Sequence, residues 1–130
     1  QRVRRGRPIN NPRALHEYLT MQYGSLDHEL FILVHLDTRR RVIACRELFR
    51  GTIDGATVHP REIVKEVLRL GSASVCIAHN HPSGDPSPSY ADESITRRVK
   101  QALELIDVSL TDHLVIGGTE IYSFAEHGML

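Results

Sequence analysis

At 130 residues the chain suits one compact domain with one core. It is 41% apolar and 25% charged, as ordinary globular proteins are, and its formal net charge of zero removes any global electrostatic case for nucleic acid or membrane. No apolar run approaches the length of a membrane span, and the arginine-rich start lacks the apolar stretch of a secretory signal.

Residues 1–10, with Arg2, Arg4, Arg5 and Arg7, read as an exposed basic arm or the end of a linker, and 11–130 as the folded domain. The first helix is expected over 12–23, with Asn11 as N-cap, Pro12 in its first turn and Gly24 ending it. The apolar run 29–36 has strand length, 37–40 is a turn, and 41–48 returns as the second strand of a hairpin. Residues 51–59 are irregular or a short third strand. A second helix runs from Pro60 to about Leu70 and closes at Gly71.

The stretch 72–78 reads as a central strand covered on both faces, running straight into His79. The Pro/Ser/Gly segment 82–89 excludes regular structure. A long amphipathic helix follows from Tyr90 to about Ile106, then strand segments at 108–110 and 113–116, a Gly117-Gly118 turn and a last strand at 119–124. The order αββ(β)αβαββ makes an α/β domain with helices on a mixed sheet. Cys45 and Cys76 stand alone in apolar runs. They read as buried thiols of a reducing, cytoplasmic compartment and exclude a cysteine-rich zinc site.

His79 and His81 carry the strongest chemical signal. Side chains alternate along a strand, so two residues apart they point to one side and can converge on one ion. They stand at the carboxyl end of the central strand, where α/β sheets place ligand sites. Asp92 is the third candidate ligand, although Ser89 and Asp92 also fit a capping box that needs no metal. Asp85 competes with it from a Gly-Asp-Pro turn, where turn chemistry alone accounts for it. Two histidines and one carboxylate leave a tetrahedral ion one open position, the pattern of a catalytic rather than a structural zinc site.

Ser83 is either a turn serine or a donor to a developing oxyanion. A hydrolytic zinc site also needs a general base; Glu29, Glu47, Glu62 and Glu93 are the candidates, and periodicity does not choose among them. His113 reads as a hydrogen-bonded core histidine in preference to one that orients a ligand. His35 reads as buried and satisfied, and His16, His28, His59 and His127 have no partners at ligand spacing.

His79-x-His81 followed after ten residues by Asp92 resembles the JAMM (MPN+) metalloprotease motif. The longer string HNHPSGDPSPS, with Phe49-Arg50-Gly51-Thr52, His59-Pro60-Arg61-Glu62 and Thr111-Asp112-His113 in order, resembles the RadC family in particular. The resemblance implies a cytidine-deaminase-like α/β fold, Zn2+ held by His79, His81 and Asp92, and Ser83 near the oxyanion. In the JAMM pattern a glutamate stands just before the first core strand, a position Glu29 occupies here. It also implies cleavage of peptide or isopeptide bonds in a protein or peptide substrate.

A nucleic-acid or DNA-repair role, through the basic arm and Arg39–Arg41, is the alternative. Neutral net charge and few aromatics count against it. A non-catalytic MPN-type scaffold has no need of a complete ligand set. A deaminase is disfavoured because its cysteine ligands are missing.

Overall fold

The computed structural model describes residues 9–51 and 58–130. The basic arm up to residue 8 and most of the doubtful third strand, 52–57, lie outside the described residues. The order within them is α1 (Pro12–Tyr23), β1 (Leu30–Leu36), β2 (Val42–Arg50), α2 (Pro60–Leu70), β3 (Ser74–Asn80), α3 (Tyr90–Glu104), β4 (Ser109–Gly117) and β5 (Glu120–Ser123). One five-stranded sheet runs β2-β1-β3-β4-β5. β3 pairs parallel with β4, and the other neighbours are antiparallel. This is the expected mixed α/β architecture. No described helix is long and apolar enough to cross a membrane.

The apolar residues divide by parity along each strand. Ile32, Val34, Cys76, Ala78, Leu114 and Ile116 face α1 and meet Leu15, Leu19 and Tyr23. Phe31, Leu33, Val75, Ile77 and Leu110 face the other way, against Ile63 and Val67 of α2 and Ile95, Val99 and Leu103 of α3. The expected single core is therefore two half-cores with the sheet between them. β3 is buried along its whole length, and both cysteines are buried and free, as expected.

β4 is one strand where the sequence reading has two segments. Val75 pairs Leu110 and Cys76 pairs Asp112, so Thr111 is a bulge. The extra residue reverses the alternation. Leu110 faces α2 and α3, while Leu114 faces α1. His113, paired with Ile77, is thereby turned toward α3 instead of α1.

Local chemistry sets the element ends. Asn11 caps α1 by accepting the Ala14 N–H at 2.8 Å, and Gly71 ends α2 in the left-handed conformation, φ 70°. Gly24 also follows a helix but is right-handed, φ −67°. It still caps α1 through its N–H to Thr20 O, and space demands a glycine: a Cβ would lie 2.2 Å from the Gly118 carbonyl oxygen. His35 corrects another expectation. It is buried and its Nδ1 meets the Ser72 hydroxyl, but Nε2 has no hydrogen-bond partner. Burial, the dominant cause, pushes its pKa down to about 4.

Two contacts tie outlying parts to the sheet. Glu66 on α2 reaches Arg46 of β2 at 3.3 Å and Arg69 at 2.9 Å. Gly117 lets the loop after β3 lie against β4: a Cβ there would stand 2.5 Å from Pro86 N and 2.7 Å from Gly84 O.

The Arg69 hydrogen bond, joined by Arg46 and opposed by partial burial, holds the Glu66 carboxyl down at about 2. A carboxyl depressed in the folded state stabilises above its ordinary pKa and loses that contribution as pH falls through its folded value. Glu66→Gln is expected to lower stability in urea unfolding by ~1 kcal/mol at neutral pH. The deficit should narrow between about 4.5 and about 2; a deficit that ignores pH contradicts the assignment. Gly117→Ala is expected to cost ~1–3 kcal/mol, read as a lower thermal midpoint, because backbone atoms of the loop must give way.

Candidate metal centre

Ser89 caps α3 through its side chain, and Asp92 closes a capping box: Asp92 N–H donates to Ser89 Oγ at 3.1 Å, and Ser89 N–H to Asp92 Oδ2 at 2.7 Å. The box locks the Asp92 carboxylate in the first helical turn with 1% exposure. His79, fully buried on β3, brings Nε2 to 2.9 Å from Asp92 Oδ1. His81, just beyond the strand, brings Nε2 to 3.3 Å from Asp92 Oδ2 and 3.0 Å from His79 Nε2. Among the described residues this is the one group of three or more histidine, cysteine or carboxylate side chains able to hold an ion.

The geometry fits a metal. Bonds of about 2.0–2.1 Å at tetrahedral angles set donor atoms roughly 3.3 Å apart. The contacts here are 2.9–3.3 Å. Each histidine–carboxylate contact is one that a ring N–H makes and that an ion takes over by displacing the proton. Of the three side chains only His81, 17% exposed, reaches solvent, so the open position lies beside it. Burial alone would raise Asp92; the hydrogen bonds from His79 and His81 outweigh it and hold the carboxyl far below its ordinary range. His81 is raised, first by its hydrogen bond to Asp92 against partial desolvation, and further by the charge of Glu29.

The two rings are held by different means. His81 N–H donates to Ile116 O at 2.7 Å and its Nδ1 to Asp85 O at 2.9 Å, leaving Nε2 for the site. His79 Nδ1 lies 2.9 Å from Nε2 of His113. The Asp85 carboxylate is occupied by the Ser87 N–H at 3.0 Å, as turn chemistry predicts, and is absent from the ligand group.

β1 sets the place of Glu29. Phe31 pairs antiparallel with His79, and Glu29, two residues before it, lies near enough for its charge to act on His81. The peptides on either side of Glu29 are clamped by Asn80, whose Oδ1 accepts the Leu30 N–H and whose Nδ2 donates to His28 O, both at 2.8 Å. Glu47 is directed elsewhere, accepting the Tyr23 hydroxyl at 3.2 Å beside α1. Glu62 pairs with Lys65 and Arg61 on α2, and Glu93 follows Asp92 in α3. Ser83 is exposed in the turn after His81; its Oγ accepts the Asp85 N–H at 3.3 Å, a bond that leaves its own proton available.

Asn80 and Thr96 escaped the sequence reading. Asn80 is more than the spacer between two ligands. Thr96, four residues after Asp92 on the same helix face, was detectable by that spacing. A cavity of about 450 Å³ lies on the α1 side, lined by Leu15, Leu36, Val42 and Leu114, and contains none of the three ligand residues.

A family model described as "RadC-like JAB domain" matches residues 9–129. A UPF0758 protein of Janthinobacterium sp. (strain Marseille) is 54% identical over 125 residues, 96% of this chain and 56% of that protein. One from Marinobacter nauticus is 51% identical over 128 residues, 98% of this chain and 57% of that protein. UPF0758 protein YkfG of Escherichia coli (strain K12) is 46% identical over 125 residues, 96% of this chain and 79% of that protein. The chain thus spans little more than half the length of the first two. The matched span takes in every helix and strand described above, and the chain belongs to the RadC-like JAB domain family.

Proposed function

We propose that this domain is a zinc-dependent hydrolase of amide bonds, peptide or isopeptide, in a protein or peptide substrate. The observation that carries the reading is the convergence of His79 Nε2, His81 Nε2 and the Asp92 carboxylate within 2.9–3.3 Å at the solvent-facing end of the central strand. Two nitrogens and one carboxylate with a fourth side open are the donor set of a catalytic zinc. When bound, the ion supplies a Lewis acid that polarises a carbonyl and makes water nucleophilic near neutral pH.

The remaining chemistry belongs to the chain. Glu29, whose charge acts on His81, accepts the proton of the attacking water and returns it to the departing amine. Asn80, by holding the main chain on both sides, fixes the backbone from which that carboxylate projects. The Ser83 hydroxyl donates to the carbonyl oxygen as it gains charge. Support for a polymeric substrate comes from the open setting: the site lies at a strand end beside an exposed loop, and the 450 Å³ cavity lies elsewhere. A nucleic-acid reading draws less support, because Arg41 of the basic cluster is engaged by Asp37 at 2.8 Å.

Protein purified without added metal is expected to carry zinc by elemental analysis, and the double variant His79→Ala, His81→Ala to lose it. Metal retained by that variant places the ion elsewhere. Glu29→Gln is expected to keep its zinc but cleave a fluorogenic peptide or isopeptide that the parent cleaves ~10²–10⁴-fold more slowly. Undiminished turnover removes Glu29 as the base.

A further inference from the structure

The Thr111-Asp112-His113 segment stands out in the sequence, and the hydrolytic reading does not use it. Its three side chains have separate tasks. Thr111 donates to Val75 O at 3.1 Å across the bulge. Asp112 accepts the Ser123 hydroxyl at 2.5 Å and the Ala125 N–H at 2.9 Å, holding the chain beyond β5. His113, fully buried, stacks on Phe124 with ring centroids 4.6 Å apart and stands beneath His79.

We infer that Thr96 and His113 are positioning residues that fix a hydrogen on Nδ1 of His79, so that the hydrogen its Nε2 shares with Asp92 is the one a metal ion displaces. The inference rests on the zinc-site reading above.

Thr96 Oγ1 lies 2.6 Å from the Asp92 carbonyl oxygen. Two oxygens come that close only with a proton between them, and the carbonyl has none to give. The single hydroxyl proton of Thr96 is therefore committed to Asp92. The same Oγ1 lies 2.5 Å from His113 Nδ1. Thr96 can only accept there, so Nδ1 of His113 bears the hydrogen. Fully buried, with a hydroxyl and a second imidazole as its ring partners, His113 is a neutral imidazole and has one N–H. Its Nε2 is therefore bare, and the hydrogen in the 2.9 Å contact with His79 Nδ1 belongs to His79.

The direction of every bond follows from one hydroxyl. If Thr96 pointed its proton at His113 instead, the chain would reverse. With Nδ1 then an acceptor, Nε2, the atom that faces Asp92 and His81, would hold the only hydrogen of the ring and could take an ion only by losing it. Partners on the far ring nitrogen commonly set a metal-binding histidine in this way, and losing one costs ~10–100-fold in metal affinity. Here the partner is a second histidine whose own orientation is set from α3, the helix that also carries the third ligand.

The test uses the zinc-loaded protein with ¹⁵N-labelled histidine. Ring correlation spectra are expected to show hydrogen on Nδ1 of both His79 and His113, with Nε2 of His113 unprotonated. Thr96→Val keeps the shape and removes the hydroxyl; in competition with a chromophoric chelator its zinc affinity is expected to fall ~10–100-fold. Thr96→Ser should return it to within a few-fold of the parent. A parent spectrum with the His113 hydrogen on Nε2 overturns the inference, as does Thr96→Val binding zinc as tightly as the parent. The spectrum decides even if Thr96→Val does not fold. Failure of the underlying site looks different: the parent then binds no zinc, or the His79→Ala, His81→Ala protein still does.

Discussion

A carboxylate almost without access to water must be met by proton-bearing or positively charged partners, and Asp92 imposes that demand on everything around it. The α3 N-terminus meets part of it through the Ser89 N–H and the positive end of the helix dipole. Two imidazoles meet the rest. To bring them there, β3 has to end at this helix, and the loop between them has to bridge 82–88 without regular structure. A residue that caps a helix thus also fixes where the central strand stops.

The two imidazoles answer to different parts of the fold. His79 is fully buried and supported by side chains from β4 and α3, which belong to a packed half-core. His81 depends on a main-chain carbonyl in a loop resting on Gly117, and one edge of it meets solvent. One ligand is therefore as rigid as the domain, while the other is as rigid as one loop. Of the two rings, His81 is the one with freedom to adjust.

Much of this was legible in the sequence because it is local. Asn11, Gly71, Ser89 and the pairing of His79 with His81 depend on neighbours within a few residues, and each behaves as its pattern implies. The double character of Asp92 was readable for the same reason. What stayed hidden depends on contacts across the chain. Periodicity leaves Glu29 and Glu47 equivalent and only the family resemblance favours Glu29; the folded chain brings the charge of Glu29 to bear on His81 and turns Glu47 to Tyr23. Gly24 ends α1 as expected, but the Gly118 carbonyl that packs against it is distant in sequence. His113 had been assigned to the core, and it is in the core; that its ring also meets a ligand could not be foreseen without knowing that α3 crosses it at Thr96. His35 is a plain departure, with one ring nitrogen left unpartnered.

The Thr111 bulge makes β4 sensitive to parity. Before it, Leu110 faces α2 and α3; after it, Leu114 faces α1, and His113 is left beneath His79. A residue gained or lost between Leu110 and His113 would turn that imidazole to the opposite side of the sheet and send Leu114 in its place. A change of two residues would keep the facing. Length variation in this strand is therefore restricted to even steps, and β4 acts as a counter whose remainder decides whether the histidine reaches His79 at all.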